Sequence, residues 1–265
     1  EIRKQSLDCR HKNDKIFVYT VDVTIRDEQK LAKKVSNNNI MLTKEKPYEF
    51  PSPGETPLLH SPVIVGSGPA GLFCGWYLAK AGYCPIILER GEEAEKRQKT
   101  VENFWKNGVL DPESNVQFGE GGAGTFSDGK LNTLVKDPYG RNHEVLKRFV
   151  AAGAPEEIIY QQKPHLGTDV LVGIVEKMRH EIEEMGGKFC FRSKVTDLIF
   201  ENNTLKEIEI NNDKRIPAQV CVLAPGHSAR DTFEMLQKRG VYMEPKSFAV
   251  GLRIEHPQEM INMDL

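Results

Sequence analysis

The stretch PVIVGSGPAGLFCGWYLAKAGYCPIILERG, residues 62–91, decides the fold. A short apolar run leads into three glycines, Gly66, Gly68 and Gly71, then into an apolar segment, a second apolar run and an acid, Glu89. This order predicts a strand, a tight turn, a helix and a second strand, which together make a βαβ nucleotide-binding unit. In such a unit the first glycine permits the turn, the second lets the backbone approach a pyrophosphate, and the third lets helix and strand pack closely.

The residues around these glycines predict how a dinucleotide would bind. The helix would point free N–H groups and the positive end of its dipole at the phosphates, and Gly82 would end it in the left-handed conformation. Glu89 is placed to accept from a ribose hydroxyl, and a carboxylate there disfavours a 2′-phosphate. We therefore assign to cofactor binding the residues Gly66, Ser67, Gly68, Pro69, Ala70, Gly71, Glu89, Arg90 and Gly91.

Two features downstream extend the predicted site. We expect Arg90 beside the adenine edge and Arg97 on a phosphate, because a guanidinium matches a phosphate with two hydrogen bonds. The run GEGGAGTFSDGKL, residues 119–131, has four glycines in its first six residues and can present N–H groups to a phosphate or a flavin. The alternative for this run is a plain surface loop. Its residues that we assign to the flavin side of the site are Gly122, Ala123, Gly124 and Thr125.

The remaining chain divides into three predicted parts. Residues 1–55 predict a small α/β module, with a strand at 15–25 and a proline-rich linker. Residues 56–245 predict the nucleotide-binding domain with a helical insert, and residues 246–265 the start of a substrate domain, opening with a strand near 247–254. Within the middle part we predict helices at 92–108, 141–152 and 168–185, a meander of strands at 188–191, 195–200 and 205–210, and a further strand at 220–223.

Composition and charge exclude some functions. The net charge of −2 gives no sign of a polyanionic partner, so nucleic-acid binding is not expected. No run approaches the ~20 apolar residues of a membrane span. The five cysteines form no CxxC pair, which disfavours a metal cluster or a dithiol redox centre and fits a cytoplasmic protein. We assign no metal site. Because the chain starts at Glu1 and stops inside an apparent element, both ends look cut.

Catalytic candidates are few. His165 precedes a predicted helix and is a candidate acid or substrate ligand, although histidines at helix starts are often structural. The Ser127–Asp128 pair invites a catalytic guess, but Asp-Gly is also an ordinary turn. The basic cluster DCRHK, residues 8–12, is either a solvated face or an RNA-binding patch.

Two short segments resemble flavoproteins of the glutathione-reductase type. These are the Pro69–Ala70 pair with the ERG ending at 89–91, and the segment VLAPGHSA at 222–229. The second is similar to the Ala-Thr-Gly segment that closes the FAD-binding domain in that group, with proline in the middle position here. The resemblance implies FAD as cofactor and places main chain of the following residues against the nucleotide: Val195, Ala224, Pro225 and Gly226.

Longer segments resemble a narrower family. SLDCRHKNDKIFVYTVDV, NVQFGEGGAGTFSDGKLNT, GAPEEIIYQQKPHLGTD and APGHSARDTFEML together resemble the uncharacterised bacterial FAD-dependent dehydrogenases often labelled NAD(FAD)-utilizing dehydrogenases. The resemblance implies a doubly wound Rossmann-like FAD-binding domain with a β-meander, preceded by a small α/β module and followed by a truncated substrate domain. It also implies hydride or electron transfer through a flavin to a small-molecule substrate, with NADH or NADPH as reductant. Two alternatives stay open: an NAD-dependent dehydrogenase without flavin, and a flavin-containing RNA-binding or RNA-modifying protein.

Overall fold

The computed structural model describes residues 1–265 except 12–13, 36–38, 44–46, 128, 132–135, 249, 253 and 265. The chain opens with an antiparallel hairpin of β1 (Ile2–His11) and β2 (Asp14–Val21), followed by α1 (Glu28–Lys34). The elements that follow, in chain order, are β3 (Val63–Val65), α2 (Pro69–Lys80), β4 (Ile86–Leu88), α3 (Ala94–Asn107), a 3₁₀ turn (Gly122–Phe126), α4 (Arg141–Ala151), a second 3₁₀ turn (Glu156–Ile159), α5 (Thr168–Glu184), β5 (Lys188–Cys190), β6 (Val195–Glu201), β7 (Thr204–Ile210), β8 (Lys214–Pro217), β9 (Cys221–Leu223), α6 (Arg230–Lys238) and α7 (Gln258–Asp264).

A four-stranded parallel sheet of β3, β4, β5 and β9 forms the centre of the molecule. Its spatial order is β5-β4-β3-β9, so the strands stand as third, second, first and fourth in chain order. This is the order that opens a Rossmann fold. Ligands of such sheets bind where the order reverses, which here is the crevice beyond the carboxyl ends of β3 and β9. The α/β, Rossmann-like prediction is confirmed.

The sheet lies between two apolar cores, so β3 is buried on both faces. Ile64 packs with the buried sides of α2 and α5, including Trp76 and Ile182. Val63 and Val65 point the other way and pack with the meander and α6. Successive side chains of a strand face opposite sides, so one three-residue strand serves both cores. The molecule therefore has helices on one face of the sheet and the meander with α6 on the other.

The meander differs from its prediction. It consists of β6, β7 and β8, whereas the segment at 188–191, predicted as its first strand, pairs in parallel with β4 in the central sheet as β5. The third meander strand is β8, which was not among the predicted strands. The strands are joined by tight turns: both asparagines at 202–203 and at 211–212 have positive φ, the left-handed conformation that short hairpin connections favour.

The two ends of the chain also differ from prediction. The sequence indicated one strand at 15–25, but the structure adds β1, whose polar residues hid its strand character, and ends β2 at Val21. The backbone of Gln5 in β1 bonds to residues near the second 3₁₀ turn, Tyr160 O at 2.7 Å and Gln162 N at 3.0 Å. Among the described residues of 246–265 the expected strand near 247–254 is absent, and the regular element there is α7, further along the chain. Residues such as Leu252 are almost fully exposed there and find no sheet edge in the described chain.

Within the described residues, the helices are all too short or too polar to cross a membrane.

Candidate dinucleotide site

A cavity lies at the carboxyl end of the parallel sheet, at the point where the strand order reverses. Three loops meet there: the glycine turn after β3, the segment after β9, and the glycine-rich loop that ends in the 3₁₀ turn. The start of β6 closes one side. The sequence-predicted residues that line the cavity are Gly66, Gly68, Pro69, Ala70, Glu89, Arg90, Gly122, Ala123, Gly124, Val195, Ala224, Pro225 and Gly226. The sequence thus predicted residues from four separate stretches that the fold brings together around the cavity.

The glycine turn is shaped by backbone contacts that exclude side chains. Gly66 has φ +97°, and a methyl group there would overlap the carbonyl oxygen of Ala224. Its amide donates to Leu88 O at 2.8 Å, and Ala224 N donates to Val65 O at 2.9 Å. The loops after the first and fourth strands therefore touch through main chain, and no larger residue fits between them.

Helix α2 begins at the floor of the cavity. Gly68 is its N-cap and Pro69 its first residue, where the missing proline N–H costs no helical bond. A methyl group at Gly71 would overlap the carbonyl oxygen of Gly66. The helix can thus approach the turn only with glycine at this position, and its positive end faces the cavity.

Glu89 lies in the cavity wall with its carboxylate held by four donors. Ser67 donates its amide (2.8 Å) and its hydroxyl (2.7 Å) to one oxygen, and the amides of Gly91 (2.9 Å) and Gly119 (3.1 Å) donate to the other. Ser67 and Gly91 do not line the cavity themselves; they orient the acid that does. Glu89 therefore ties the first glycine turn to the glycine-rich loop and presents a fixed negative charge.

Arg97 differs from its prediction. Its side chain is fully buried and lies outside the cavity lining. The guanidinium donates to main-chain carbonyls of the glycine-rich loop (residues 119–131) and of the residues just before it: Asn115 (2.9 Å), Val116 (3.1 Å), Gly119 (3.3 Å), Glu120 (2.6 Å) and Gly122 (2.9 Å). Burial lowers the pKa of Arg97 to about 10. With its donors turned to these carbonyls, Arg97 is not placed to pair with a phosphate; it fixes the loop that forms the cavity wall.

A second buried charge supports the same loop. Glu120 accepts from the Ala94 amide at 2.7 Å and from Arg179 Nε at 2.8 Å. Arg179 also reaches Glu95 at 3.3 Å. Burial raises the pKa of Glu120 to about 7 in spite of these partners. Thr125 is buried beside them and donates to Glu120 O at 3.4 Å, so it supports the loop without lining the cavity.

Four charged side chains form a closed ring, and two of them, Arg90 and Lys194, line the cavity. Arg90 donates to Glu113 at 2.7 Å and to both oxygens of Asp231 at 3.0 and 2.9 Å. Lys194 pairs with the same two carboxylates, at 3.0 Å from Glu113 and 2.7 Å from Asp231. The Arg90 guanidinium also stacks over Phe118, 4.0 Å from the ring centre. We name these four residues the ion ring.

The sequence missed several residues of the wall, and five residues that it assigned to the cofactor do not line the cavity: Ser67, Gly71, Gly91, Arg97 and Thr125. Phe118, Ser193, Lys194, His227 and Thr232 line the cavity without having been predicted. The sequence could have indicated them only through their proximity to predicted residues: His227 follows Gly226, and Lys194 precedes Val195.

The remaining sequence candidates do not reach the cavity. His165 is exposed and is absent from the cavity lining. In the DCRHK cluster, Arg10 is paired with Asp8 at 2.6 Å, while Lys12 lies outside the described residues. Asp128 lies outside them as well. None of the described members of these candidates is brought to the dinucleotide site.

Comparison with known proteins supports the nucleotide-binding unit. Residues 64–101 match the family model described as an NAD(P)-binding Rossmann-like domain. An uncharacterized protein of Clostridium beijerinckii is 47% identical over 264 residues, which is 100% of this chain and 49% of that protein. The chain thus spans about half the length of the curated relative it matches.

Solved structures show likeness at lower similarity. THI4 of Thermovibrio ammonificans has a TM-score of 0.44 and 22% identity, over 68% of this chain and 62% of that one. The L-proline dehydrogenase of P. horikoshii has a TM-score of 0.38 and 16% identity, over 69% and 56% of the two chains. A structure of OTEMO in complex with FAD and NADP has a TM-score of 0.40 and 14% identity, over 64% and 26%.

Proposed function

We propose that this chain is the FAD-binding part of an oxidoreductase that passes hydride or electrons through a bound flavin to a small-molecule substrate, with NADH or NADPH as reductant. One observation carries the proposal: the glycine turn, the N-terminus of α2 and Glu89 converge on one cavity at the strand-order reversal. That is where a parallel α/β sheet binds a dinucleotide.

The choice of FAD over NAD rests on the other walls of the cavity. The start of the meander at Val195 and the segment Ala224–Gly226 line it from the second and third sides. These are the two segments whose sequences resemble flavoproteins of the glutathione-reductase type. The glycine-rich loop adds Gly122, Ala123 and Gly124. A simple dinucleotide fold needs only the wall formed by the glycine turn and Glu89. The additional walls therefore favour FAD.

The residues divide into contact and support. We assign Gly66 and Gly68 to the pyrophosphate, with Gly71 setting the approach of the helix, and Glu89 to the adenosine ribose. Val195 and the segment 224–226 would line the nucleotide through main chain. The flavin itself supplies the hydride chemistry, and the protein binds it, orients it and excludes water. No described residue is assigned as the catalytic acid or base.

An NAD-dependent dehydrogenase without flavin is the second candidate, and the match of residues 64–101 to an NAD(P)-binding model favours it. An RNA-binding role has no such support, since Arg10 of the basic cluster is neutralised by Asp8. A cytoplasmic location belongs to the proposal as well, because all five cysteines are free, as in a reducing compartment.

Cofactor identification separates the two candidates. The purified protein is incubated with FAD or with NAD⁺, freed of unbound nucleotide, and the bound fraction is released and identified. The flavoprotein proposal predicts retained FAD whose visible absorption is bleached by NADH or NADPH without oxygen. Retention of NAD⁺ with no retention of FAD would reject it in favour of the second candidate.

A further inference from the structure

We propose that Asp231 and Glu113 determine the specificity of the adenosine end of the cavity, by holding two cations that would otherwise bind a phosphate on the adenosine ribose. The site would then select adenine nucleotides with an unphosphorylated ribose and reject their 2′-phosphorylated forms. This inference rests on the proposed function, because it concerns the same cavity.

The cations of the ion ring belong to the cavity. Arg90 and Lys194 both line it, and each is next in the chain to another lining residue, Glu89 and Val195 respectively. Arg90 follows Glu89 directly in the chain, at the end of β4. In dinucleotide folds an acid at this strand end takes the ribose hydroxyls, and a nearby arginine accommodates a 2′-phosphate where one is bound. The chain therefore carries the side chains of a 2′-phosphate site in the expected place.

These cations are already neutralised from outside the cavity. Glu113 comes from the loop after α3, and Asp231 from the first turn of α6. Neither carboxylate lines the cavity, yet each bonds both cations at 2.7–3.0 Å. Two positive and two negative charges leave the ring without net charge, and the three guanidinium nitrogens of Arg90 all donate to it.

An arriving 2′-phosphate would meet a neutral surface backed by carboxylates. To bind, it would have to displace Asp231 or Glu113 from Arg90 and Lys194. Burial opposes ionisation of Asp231, but the bonds from Arg90 and Lys194 outweigh it and hold its pKa below the usual range. Both carboxylates thus compete with the phosphate for the same donors. Glu89 adds a further negative charge in the wall.

The loop after α3, which carries Glu113, also offers a matched control. Arg192 pairs with Glu92 at 2.8 Å and with Asp111 at 2.7 Å, two residues before Glu113. This cluster resembles the ion ring in composition, but neither Arg192 nor Asp111 lines the cavity. Asp111→Asn therefore removes the same charge from the same loop without freeing a cation that faces the site.

The test compares ADP-ribose with 2′-phospho-ADP-ribose by calorimetry, since the pair differs by one phosphate and neither ligand reacts. The unchanged chain should bind ADP-ribose more tightly. Asp231→Asn should shift the affinity ratio toward the phosphorylated ligand by about tenfold, the effect of one hydrogen bond to a charged group. Asp111→Asn should leave the ratio unchanged. Added salt should reduce the shift, because it is electrostatic.

The possible outcomes distinguish a failure of this inference from a failure of the proposed function. An unchanged ratio in Asp231→Asn, or an equal shift in Asp111→Asn, would overturn the inference while leaving the proposed function intact. If the folded, unchanged chain binds neither ligand nor FAD, the proposed function fails and the inference fails with it. Glu113→Gln is the second variant, should the change at Asp231 destabilise α6, and it should shift the ratio in the same direction.

Discussion

At the scale of single residues, two glycines at opposite ends of α2 serve different purposes. Gly71 faces the carbonyl oxygen of Gly66, so any side chain would collide with backbone. Gly82 lies beyond the helix end at φ +83°, and a methyl group there would have open space around it. Its amide and that of Tyr83 close the helix on Ala79 O and Leu78 O, at 2.9 and 3.0 Å. The first glycine shapes the site, and the second only ends the helix, as the sequence predicted.

Alanine at these two positions should separate cofactor binding from stability. Gly71→Ala should push α2 away from the turn, overpack the contact by about 1–3 kcal/mol and weaken FAD binding by more than that. Gly82→Ala should lower the free energy of unfolding by about 1 kcal/mol through its left-handed backbone and leave FAD binding unchanged. Urea unfolding and flavin dissociation measure the two effects. Loss of flavin in Gly82→Ala with retention in Gly71→Ala would contradict this interpretation.

Glu120 should give stability a pH dependence of unusual sign. Its pKa of about 7 in the folded protein lies above its ordinary value of 4.5 because the side chain is buried. Between these values the folded chain holds a proton that the unfolded chain releases, so this group makes stability fall as pH rises from 4.5 to 7. Glu120→Gln should remove that component of the slope of unfolding free energy against pH. Glu95→Gln, which changes the exposed partner of Arg179, should keep it; equal slopes in the unchanged protein and Glu120→Gln would contradict the assignment.

At the scale of elements, the glycine-rich loop is a wall held from behind. Arg97 on α3 bonds three of its carbonyls and two in the residues just before it, and Glu120 fastens the loop to the start of α3 and to α5. From the front, the Gly121 amide bonds Ser67 O at 3.0 Å and the Gly119 amide bonds Glu89. The loop therefore cannot shift without disturbing the first glycine turn.

Replacing Arg97 should damage this wall and the site together. Arg97→Met leaves the buried carbonyls without donors and should cost about 3 kcal/mol of unfolding free energy or more. Arg97→Lys keeps the charge but cannot span five acceptors, so it should rescue only part of the loss. FAD affinity should follow the same order. Arg192→Met, at a half-exposed position that pairs with Asp111 in the loop after α3, is the control and should leave FAD affinity near that of the unchanged protein.

Local patterns predicted the elements whose signals are local. The strand, glycine turn and helix at 62–91 and the helices α3, α4 and α5 follow from periodicity and from residues close in sequence. Local patterns misplaced β5, because its pairing with β4 depends on a strand about 100 residues earlier. They also predicted a strand in the 246–265 segment, where the described chain offers no neighbouring strand to pair with. The prediction that Arg97 binds a phosphate was wrong for the same reason. Its acceptors are carbonyls 18 to 25 residues away, and since every residue has a backbone carbonyl, the sequence does not indicate which of them accept.

At the scale of the whole molecule, the fold brings separate stretches to one edge of one sheet. The loops after β3 and β9 touch, β4 ends in Glu89, and the meander contributes Val195 from the other face. The ion ring joins the end of β4 and the start of the meander to the loop after α3 and to α6, and its members Arg90 and Asp231 are 141 positions apart in sequence. We propose that this convergence makes a nucleotide site, and that the site recognises the adenosine and pyrophosphate end of its ligand.

The most direct test of that claim is equilibrium binding of FAD and FMN to the chain, with ADP as competitor. FMN carries the same flavin but lacks the adenosine and the second phosphate. We predict that FAD binds, that ADP displaces it, and that FMN binds far more weakly. Equal binding of FMN and FAD, or FAD binding that ADP does not displace, would contradict the account, because the glycine turn and Glu89 would then not be the residues that hold the cofactor.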